Sequence, residues 1–426
     1  MLKFERFSNF IYLILPITII LGNAALNINI LFIIFIFFIK FIKNDIKINR
    51  SFLNIAIILF FFIITNYYFS HNKALTLQGS SGLIKNILLF LSLCLFFSEE
   101  KKKEKFLKIS FVILLFVCFD TFVQYIFKYD LFLNHFDESH GKRLSGPFGS
   151  EYVVGAFISK MMFFVLAYIV YYKKNDSLLY LSVTLFLITI FLSQERSAFF
   201  VSLISSLIFI IFSEGKIKFK IISILIFIFL SLFFIFTDKT LGKKYTGQTT
   251  QQLGISKQYE YLTGKNSEQV GDFVIESFWD SRYGAHFLTA YAIFKDNKFF
   301  GSGIKTFRIE CSKSNYASIK SKYVELRCNT HPHNIFYEII SDGGIFLFAY
   351  FLISISFLIF LNLIYFLKSF HNKYLLNLMM LFVLFFPIQT TGSFFSTFNG
   401  IFYWLLLSLI VQSSGLKIFN TSFKKQ

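Results

Sequence analysis

The chain has 426 residues, of which 55% are hydrophobic, 21% aromatic and only 15% charged, with 64 Phe. No water-soluble domain of this length is so apolar, which excludes the ordinary soluble enzyme classes. The 42 Lys and Arg against 24 Asp and Glu give a net charge of +18. With no zinc-knuckle spacing or RNA-binding aromatic motif, that excess reads as membrane topology and not as an affinity for nucleic acid.

Apolar stretches near bilayer length recur along the whole sequence, the signature of an all-α polytopic membrane protein. About twelve transmembrane helices are predicted, near residues 8–26, 29–42, 51–69, 83–98, 107–128, 152–172, 178–193, 198–213, 219–237, 345–367, 374–390 and 398–414. The first lacks a small-residue cleavage site and reads as a retained helix. Several runs are short, so their helices tilt or begin inside flanking polar sequence. Every second connection is basic: 1–7, 40–50, 99–108, 173–177, 214–220, 368–373 and 415–426 hold half of all Lys and Arg. The positive-inside rule then makes both termini cytoplasmic. Three parts follow: residues 1–237 with nine helices, an outer loop 238–334 between helices 9 and 10, and residues 335–426 with three more helices and a cytoplasmic tail.

That topology turns three segments outward: 129–151, the tight turn 193–197, and the loop 238–334. A loop this long between spans is usually functional. It opens polar (Thr246 to Gly254), continues with the amphipathic stretch "ESFWDSRYGAHFLTAYAIFKDN", turns at "FFGSGIKTF" and closes on His331-Pro332-His333-Asn334. Imidazole titrates near neutral pH, so a histidine at a water–membrane boundary is a credible proton acceptor. It serves equally well as a hydrogen-bonding group at a helix end, and both roles stay open here. Asn334 has the same two faces, as a substrate ligand or as the cap of the following helix. Arg196 sits in a short turn near membrane depth, where an arginine costs about 2.5–3.5 kcal/mol on insertion scales and so has a partner, such as Glu195, or a task. Asp120 is the clearest acid within a span. Cys94 and Cys118 lie in apolar spans as core residues, whereas Cys311 and Cys328 share the outer loop and are a possible disulfide. No Cys or His spacing fits zinc and no Asp-x-Asp occurs, so neither a metal nor a cofactor is expected.

The segment "HPHNIFYEIISDGGIFLF" resembles the O-antigen ligase/O-antigen polymerase family, bacterial membrane proteins that act on undecaprenyl-diphosphate-linked glycans. Its pattern is His, then Asn, Ser or Gln, nine residues, Gly, two residues, and Gly, Thr or Tyr. His333, Asn334 and Gly344 match; Leu347 departs at the last position. "RLSGPFGSE", "SQERSAFF" and "SRYGAHFLTAYAIFKDNKFFGSGIKTF" are similar to further segments of the family, in the family's order, over residues 140 to 400.

The resemblance implies a GT-C-like ligase architecture, with loop 238–334 and the active site at the periplasmic face of the inner membrane. Its partners would be the bilayer, a polyprenyl-diphosphate-linked glycan donor, and lipid A–core or a second glycan as acceptor. It makes His333 the base, with His331 as alternative, and Arg196 and Arg282 the diphosphate-binding pair, with Arg143 and Asn334 as further substrate ligands. An O-antigen ligase is the preferred reading. A polysaccharide polymerase acting on lipid-linked repeat units shares the donor chemistry. A multi-span transporter without chemistry is the third reading.

Overall fold

The computed structural model describes residues 2–43, 46–135, 143–247 and 278–420. The polar stretch of the large loop from residue 248 to Gly254, residues 136–142 of the outer segment 129–151, and Lys424 and Lys425 lie outside them. The described residues are 77% helical. Among the described residues the one two-stranded ladder pairs Lys47–Ile48 with Phe419–Asn420.

The main helices are α1 (Leu2–Leu13), α2 (Leu15–Ile20), α3 (Asn23–Lys43), α4 (Arg50–Phe69), α5 (Lys73–Phe97), α6 (Glu100–Phe127), α7 (Val154–Tyr168), α8 (Asp176–Ser193), α9 (Arg196–Phe212), α10 (Ile217–Thr237), α11 (Arg282–Asp296), α12 (Ile335–Ser369), α13 (Asn372–Phe385) and α14 (Thr397–Ser413). Short polar side chains start many of them. Asn49, Asn72, Asn175, Ser281, Asn334 and Ser396 each accept a hydrogen bond from a backbone N–H of the first turn that has no partner within the helix.

Among the described residues eight helices, α7 counted with its continuation to Lys173, are long and apolar enough to cross a membrane; α9, α13 and α14 are apolar but shorter. Each of the twelve predicted stretches has a helical counterpart, but the count of long spans is smaller, for local reasons. The first stretch breaks between α1 and α2 beside Pro16, which lacks an N–H to continue the ladder. The stretch 374–390 ends at Phe385, because Phe386 precedes Pro387 and is extended, with ψ 121°. Residues 386–396 therefore leave the bundle as a loop.

α7 is the innermost helix, nearly every side chain buried. It packs against α6 and α8, while α5 lies along α14 and α12 along α13. α10 and α4 lie at the periphery and expose apolar side chains such as Phe229, Phe236, Phe61 and Ile64. In a bilayer these faces meet lipid at no cost.

The basic connections meet at one end of the bundle. Lys102 Nζ pairs with Glu5 at 3.4 Å, the Tyr172 hydroxyl donates to Glu100 at 2.7 Å, Asp176 accepts from Lys216 N at 2.8 Å and Asn372 from Glu214 N at 2.7 Å. The turns at the opposite ends of these helices hold the candidate site.

Its frame is a break in α12. Gly344 has φ 71° and ψ −176°, so the 35-residue helix is two helices joined at a kink. A Cβ there would collide with Gly301 N and Phe299 O. Residues 298–303 fill the break: Ile345 N donates to Lys298 O at 2.8 Å, Ser302 N to Ser341 O and Gly303 N to Asp342 O, both at 3.0 Å. Asn66 of α4 and Asp342 lock this loop, Asn66 donating to Phe300 O and Asp342 O, and Asp342 accepting from the backbone of Lys305 and Phe307. The Gly-x-Gly turn and the family-pattern glycine are two halves of one joint.

Candidate active site

The loop that follows α13 joins the turn of Arg196 to the turn of the histidines. Ser197 Oγ donates to Thr390 O at 3.3 Å and accepts from Thr390 N at 3.1 Å. The next residue, Thr391, donates its N–H to His333 O at 2.8 Å, and its carbonyl accepts from His331 Nε2 at 3.1 Å. Glu338 pins the same loop, accepting from Ser393 Oγ at 2.5 Å and Phe394 N at 2.7 Å. Glu338 therefore holds the frame. Nothing in the spacing of "PIQTTGSFFS" singled these residues out; the signal was a polar run where a span should have continued.

Three imidazoles cluster. The ring of His333 lies 4.3 Å from His331, 5.4 Å from His286 and 5.7 Å from the ring of Tyr283, centre to centre. His286, which sequence reasoning passed over, is fully buried. It follows Arg282 by four residues, so both lie on one face of α11, and this spacing was legible in "RYGAH". Burial, the neighbouring imidazoles and the Arg282 charge pull His333 down to about 3. His331 falls to about 4, chiefly by burial, with His286 and Arg308 adding to it. Burial also lowers His286. At neutral pH all three are uncharged, so the near-neutral titration expected of an exposed imidazole does not apply.

His333 has φ 58°, a left-handed conformation uncommon for a side-chain-bearing residue. Asn334, the helix cap, holds it there. The Asn334 Oδ1 accepts from Phe336 N and Tyr337 N, and its amide donates to Pro387 O at 2.7 Å and Gln389 O at 3.1 Å. Four hydrogen bonds occupy the whole amide, so it ties α12 to the loop after α13 and is placed as a structural clamp.

Two groups of cations flank the imidazoles. On one side, Arg143 Nη2 donates to Tyr152 O at 3.1 Å and stands 3.9 Å from Glu195. Glu195 accepts from Gly155 N at 2.6 Å and Ala156 N at 3.2 Å, capping α7, so it is not devoted to its neighbour Arg196. Burial pushes the Glu195 carboxyl above its usual range, against the pull of Arg143 and the two amides. Lys244, also unforeseen, donates to Gln194 Oε1 at 2.9 Å; burial and the fields of Arg143 and Arg196 hold it down to about 8. On the other side, Arg282 is exposed at the start of α11 and makes no hydrogen bond or ion pair among the described residues. Arg308 and Lys305 lie in the loop below the break, and the Arg308 charge acts on His331 and on Lys305.

A cavity of about 640 Å³ opens between α6 and α10, lined by Phe122, Tyr125, Ile126, Phe233 and Phe234, and reaches Gln194. A second, of about 190 Å³, is lined by Arg143, Gln124, Ser145 and Tyr152 among others. Asp120 accepts from Leu131 N at 2.8 Å, fixing the chain beyond α6. Cys311 and Cys328 are joined as a disulfide, with Cα atoms 5.2 Å apart. Among the described residues no group of three or more His, Cys, Asp and Glu is arranged to hold a metal ion.

A multi-pass helical membrane protein, with imidazoles and guanidinium groups gathered at one end, is the class these observations define. Residues 181–352 match the family model described as O-antigen ligase. That span takes in Arg196, Arg282, the three histidines and Gly344, and it supports assignment of the chain to the O-antigen ligase/polymerase family of bacterial membrane proteins. No curated protein matches the chain.

Proposed function

We propose that the protein is a metal-independent glycosyltransferase of the bacterial inner membrane, carrying a glycan from undecaprenyl diphosphate to an acceptor hydroxyl at the periplasmic face. O-antigen ligase, with lipid A–core as acceptor, is the preferred reading. The observation that carries it is the hydrogen-bonded path from Ser197 through Thr390 and Thr391 to His333. It sets a phosphate-binding type of side chain, Arg196, in one frame with a proton acceptor. We retain twelve crossings, both termini in the cytoplasm, and a periplasmic loop 238–334; the meeting of the basic connections at one end supports this arrangement.

In this reading the acceptor oxygen attacks the anomeric carbon and its proton passes to His333. The bond from that carbon to the diphosphate oxygen breaks, the diphosphate keeps the electron pair, and the anomeric configuration inverts. The leaving group gains negative charge. Arg196 and Arg282, with Arg143 and Lys244 behind them, would stabilise it through charge-assisted hydrogen bonds. Held at about 3, His333 binds a proton weakly before donor arrives. An anionic diphosphate opposes the Arg282 field and raises it, so the base gains strength when the donor is bound. The cavity between α6 and α10 has the apolar wall a polyprenyl chain needs and reaches Gln194, two residues before Arg196 in the chain.

The test is transfer by purified protein from a polyprenyl-diphosphate glycan to lipid A–core. His333→Ala and Arg196→Ala should each lose about a hundredfold or more. Transfer by both at the wild-type rate sinks the proposal, and with it goes the case against a transporter. Deletion of the gene should leave long glycan on the polyprenyl carrier; single-repeat caps on lipopolysaccharide would assign the polymerase instead.

A further inference from the structure

Two imidazoles of the cluster are held by one tripeptide. The Arg327 carbonyl lies 3.0 Å from His286 Nδ1, and the Asn329 amide nitrogen lies 2.9 Å from His333 Nε2. Between them stands Cys328, bridged to Cys311. Arg327 adds a second tie, its Nε donating to Cys311 O at 2.9 Å. The segment thus has little freedom to slide past either ring.

The donors and acceptors dictate where the ring protons sit. A carbonyl only accepts, so His286 carries its proton on Nδ1 and its Nε2 is bare. That Nε2 is buried and has no hydrogen-bond partner. The Asn329 side chain is oriented by its other end, where Oδ1 accepts from Thr330 N at 2.7 Å. Its Nδ2 therefore faces His333, and an amide nitrogen only donates. His333 Nε2 must be bare as well, with the ring proton on Nδ1.

We propose that Asn329, on a segment stapled by the Cys311–Cys328 disulfide, is a positioning residue that sets the tautomer of His333 and reserves its Nε2 lone pair for the acceptor hydroxyl. The identity of the hydroxyl rests on the glycosyltransferase reading; the tautomer does not. In the resting site the amide N–H occupies the lone pair. The incoming O–H takes the same place, donating where Nδ2–H donated, and its proton then has an empty nitrogen to enter. Among the described residues, the charged and titratable groups around His333 are His331 on its own turn and His286, Tyr283 and Arg282 from α11. None of them is a carboxylate, so none competes with Asn329 for an Nε2 proton.

The substitution that isolates this role is Asn329→Asp, nearly isosteric but inverted in sense. A carboxylate accepts, so it would hold the proton on Nε2 and close the lone pair. Asn329→Ala removes the donor and leaves the lone pair bare. The experiment is ¹⁵N NMR of histidine-labelled protein in nanodiscs, with His333 assigned through His333→Gln, run beside the transfer assay across pH. Wild type should show Nδ1–H with bare Nε2, and Asn329→Asp should show Nε2–H. The Asp variant should lose about a hundredfold in kcat at pH 7, with its rate rising with pH where wild type is level. The Ala variant should lose no more than about tenfold and keep the wild-type profile. Nε2–H in the wild-type spectrum, or no change in the ring on Asn329→Asp, overturns the inference whatever reaction the protein catalyses. Equal losses in both variants with parallel pH profiles overturn it too. A wild-type protein that shows the tautomer but transfers nothing overturns the glycosyltransferase reading alone.

Discussion

The two ends of the helix bundle handle charge in opposite ways. At the basic end, lysines find acids close by: Lys102 with Glu99 and Glu5, Lys103 with Glu100. At the other end most of the buried acids are turned toward the backbone, with Glu310, paired to Lys313 at 2.8 Å and 3.1 Å from His71, as the exception. Glu195 caps α7, Asp342 binds the amides of Lys305 and Phe307, and Glu338 binds Ser393 and an amide. Local neutralisation suits a surface whose charge only sets topology. Committing the carboxylates to amides does something else: it fixes loops in place while the cations keep their field for a ligand. The fold thus uses its acids as rivets at the end where chemistry is proposed.

A matched pair of glycines breaks or sharpens this contrast with the largest expected effect. Gly344 and Gly415 have nearly the same φ, 71° and 75°. Around Gly415 a Cβ would meet nothing within 4 Å, whereas at Gly344 it would strike the backbone of Phe299 and Gly301. Gly415→Ala therefore costs the left-handed strain alone, about 1–2 kcal/mol. Gly344→Ala adds a collision that backbone cannot relieve without moving the loop of Lys305 and Arg308. Thermal midpoints should fall clearly further for Gly344→Ala, and transfer about a hundredfold or more, with Gly415→Ala near wild type in activity. Equal midpoints for the two variants would mean that the joint at α12 bears no weight.

How much of this was legible in the sequence follows the same division. Period and length marked each apolar stretch, and charge marked which connections lie together, because hydrophobicity and net charge are additive along a chain. The amphipathic helix carrying Arg282 and the closing histidines were legible for the same reason. Ser197, Thr390 and Thr391 were not: their role is a hydrogen-bonded path between turns almost two hundred residues apart, with no local signature. Asn334 looked like a candidate for chemistry and serves as a clamp, since a polar side chain's partners are set by tertiary contact alone. Arg196 was noticed for its depth, but that Glu195 turns to α7 required the geometry of α7.

The neutral imidazoles give a smaller effect, readable in stability. In the folded protein His333 and His331 sit at about 3 and about 4; unfolded, a histidine titrates near 6.5. Between these values the unfolded chain binds more protons, so stability rises with pH through that window and levels off above about 7. The thermal midpoint in detergent should fall between pH 7.5 and pH 5, and His331→Gln with His333→Gln should flatten the fall. If the double variant keeps the full slope, the acid sensitivity resides elsewhere and these imidazoles are not held neutral by their surroundings.

The smallest effect separates the two kinds of ion pair. Glu5→Gln removes the contact of a largely exposed carboxylate with Lys102, which keeps its second partner Glu99 one helical turn away. Such pairs contribute about 0.2–1 kcal/mol at most and fade with salt, because water and mobile ions already screen them. The midpoint should move by no more than a degree or two at low salt, converge with wild type at high salt, and leave transfer unchanged. Arg143→Ala removes a longer contact, 3.9 Å, from a mostly buried Glu195 that caps α7. A buried carboxylate that loses its counter-charge keeps its desolvation penalty, and bulk salt cannot replace the guanidinium. Its shift in midpoint should therefore be the larger and persist at high salt. The order of the two shifts at high salt, read from paired melting curves, decides whether the acids of the site end differ in kind from those of the basic end.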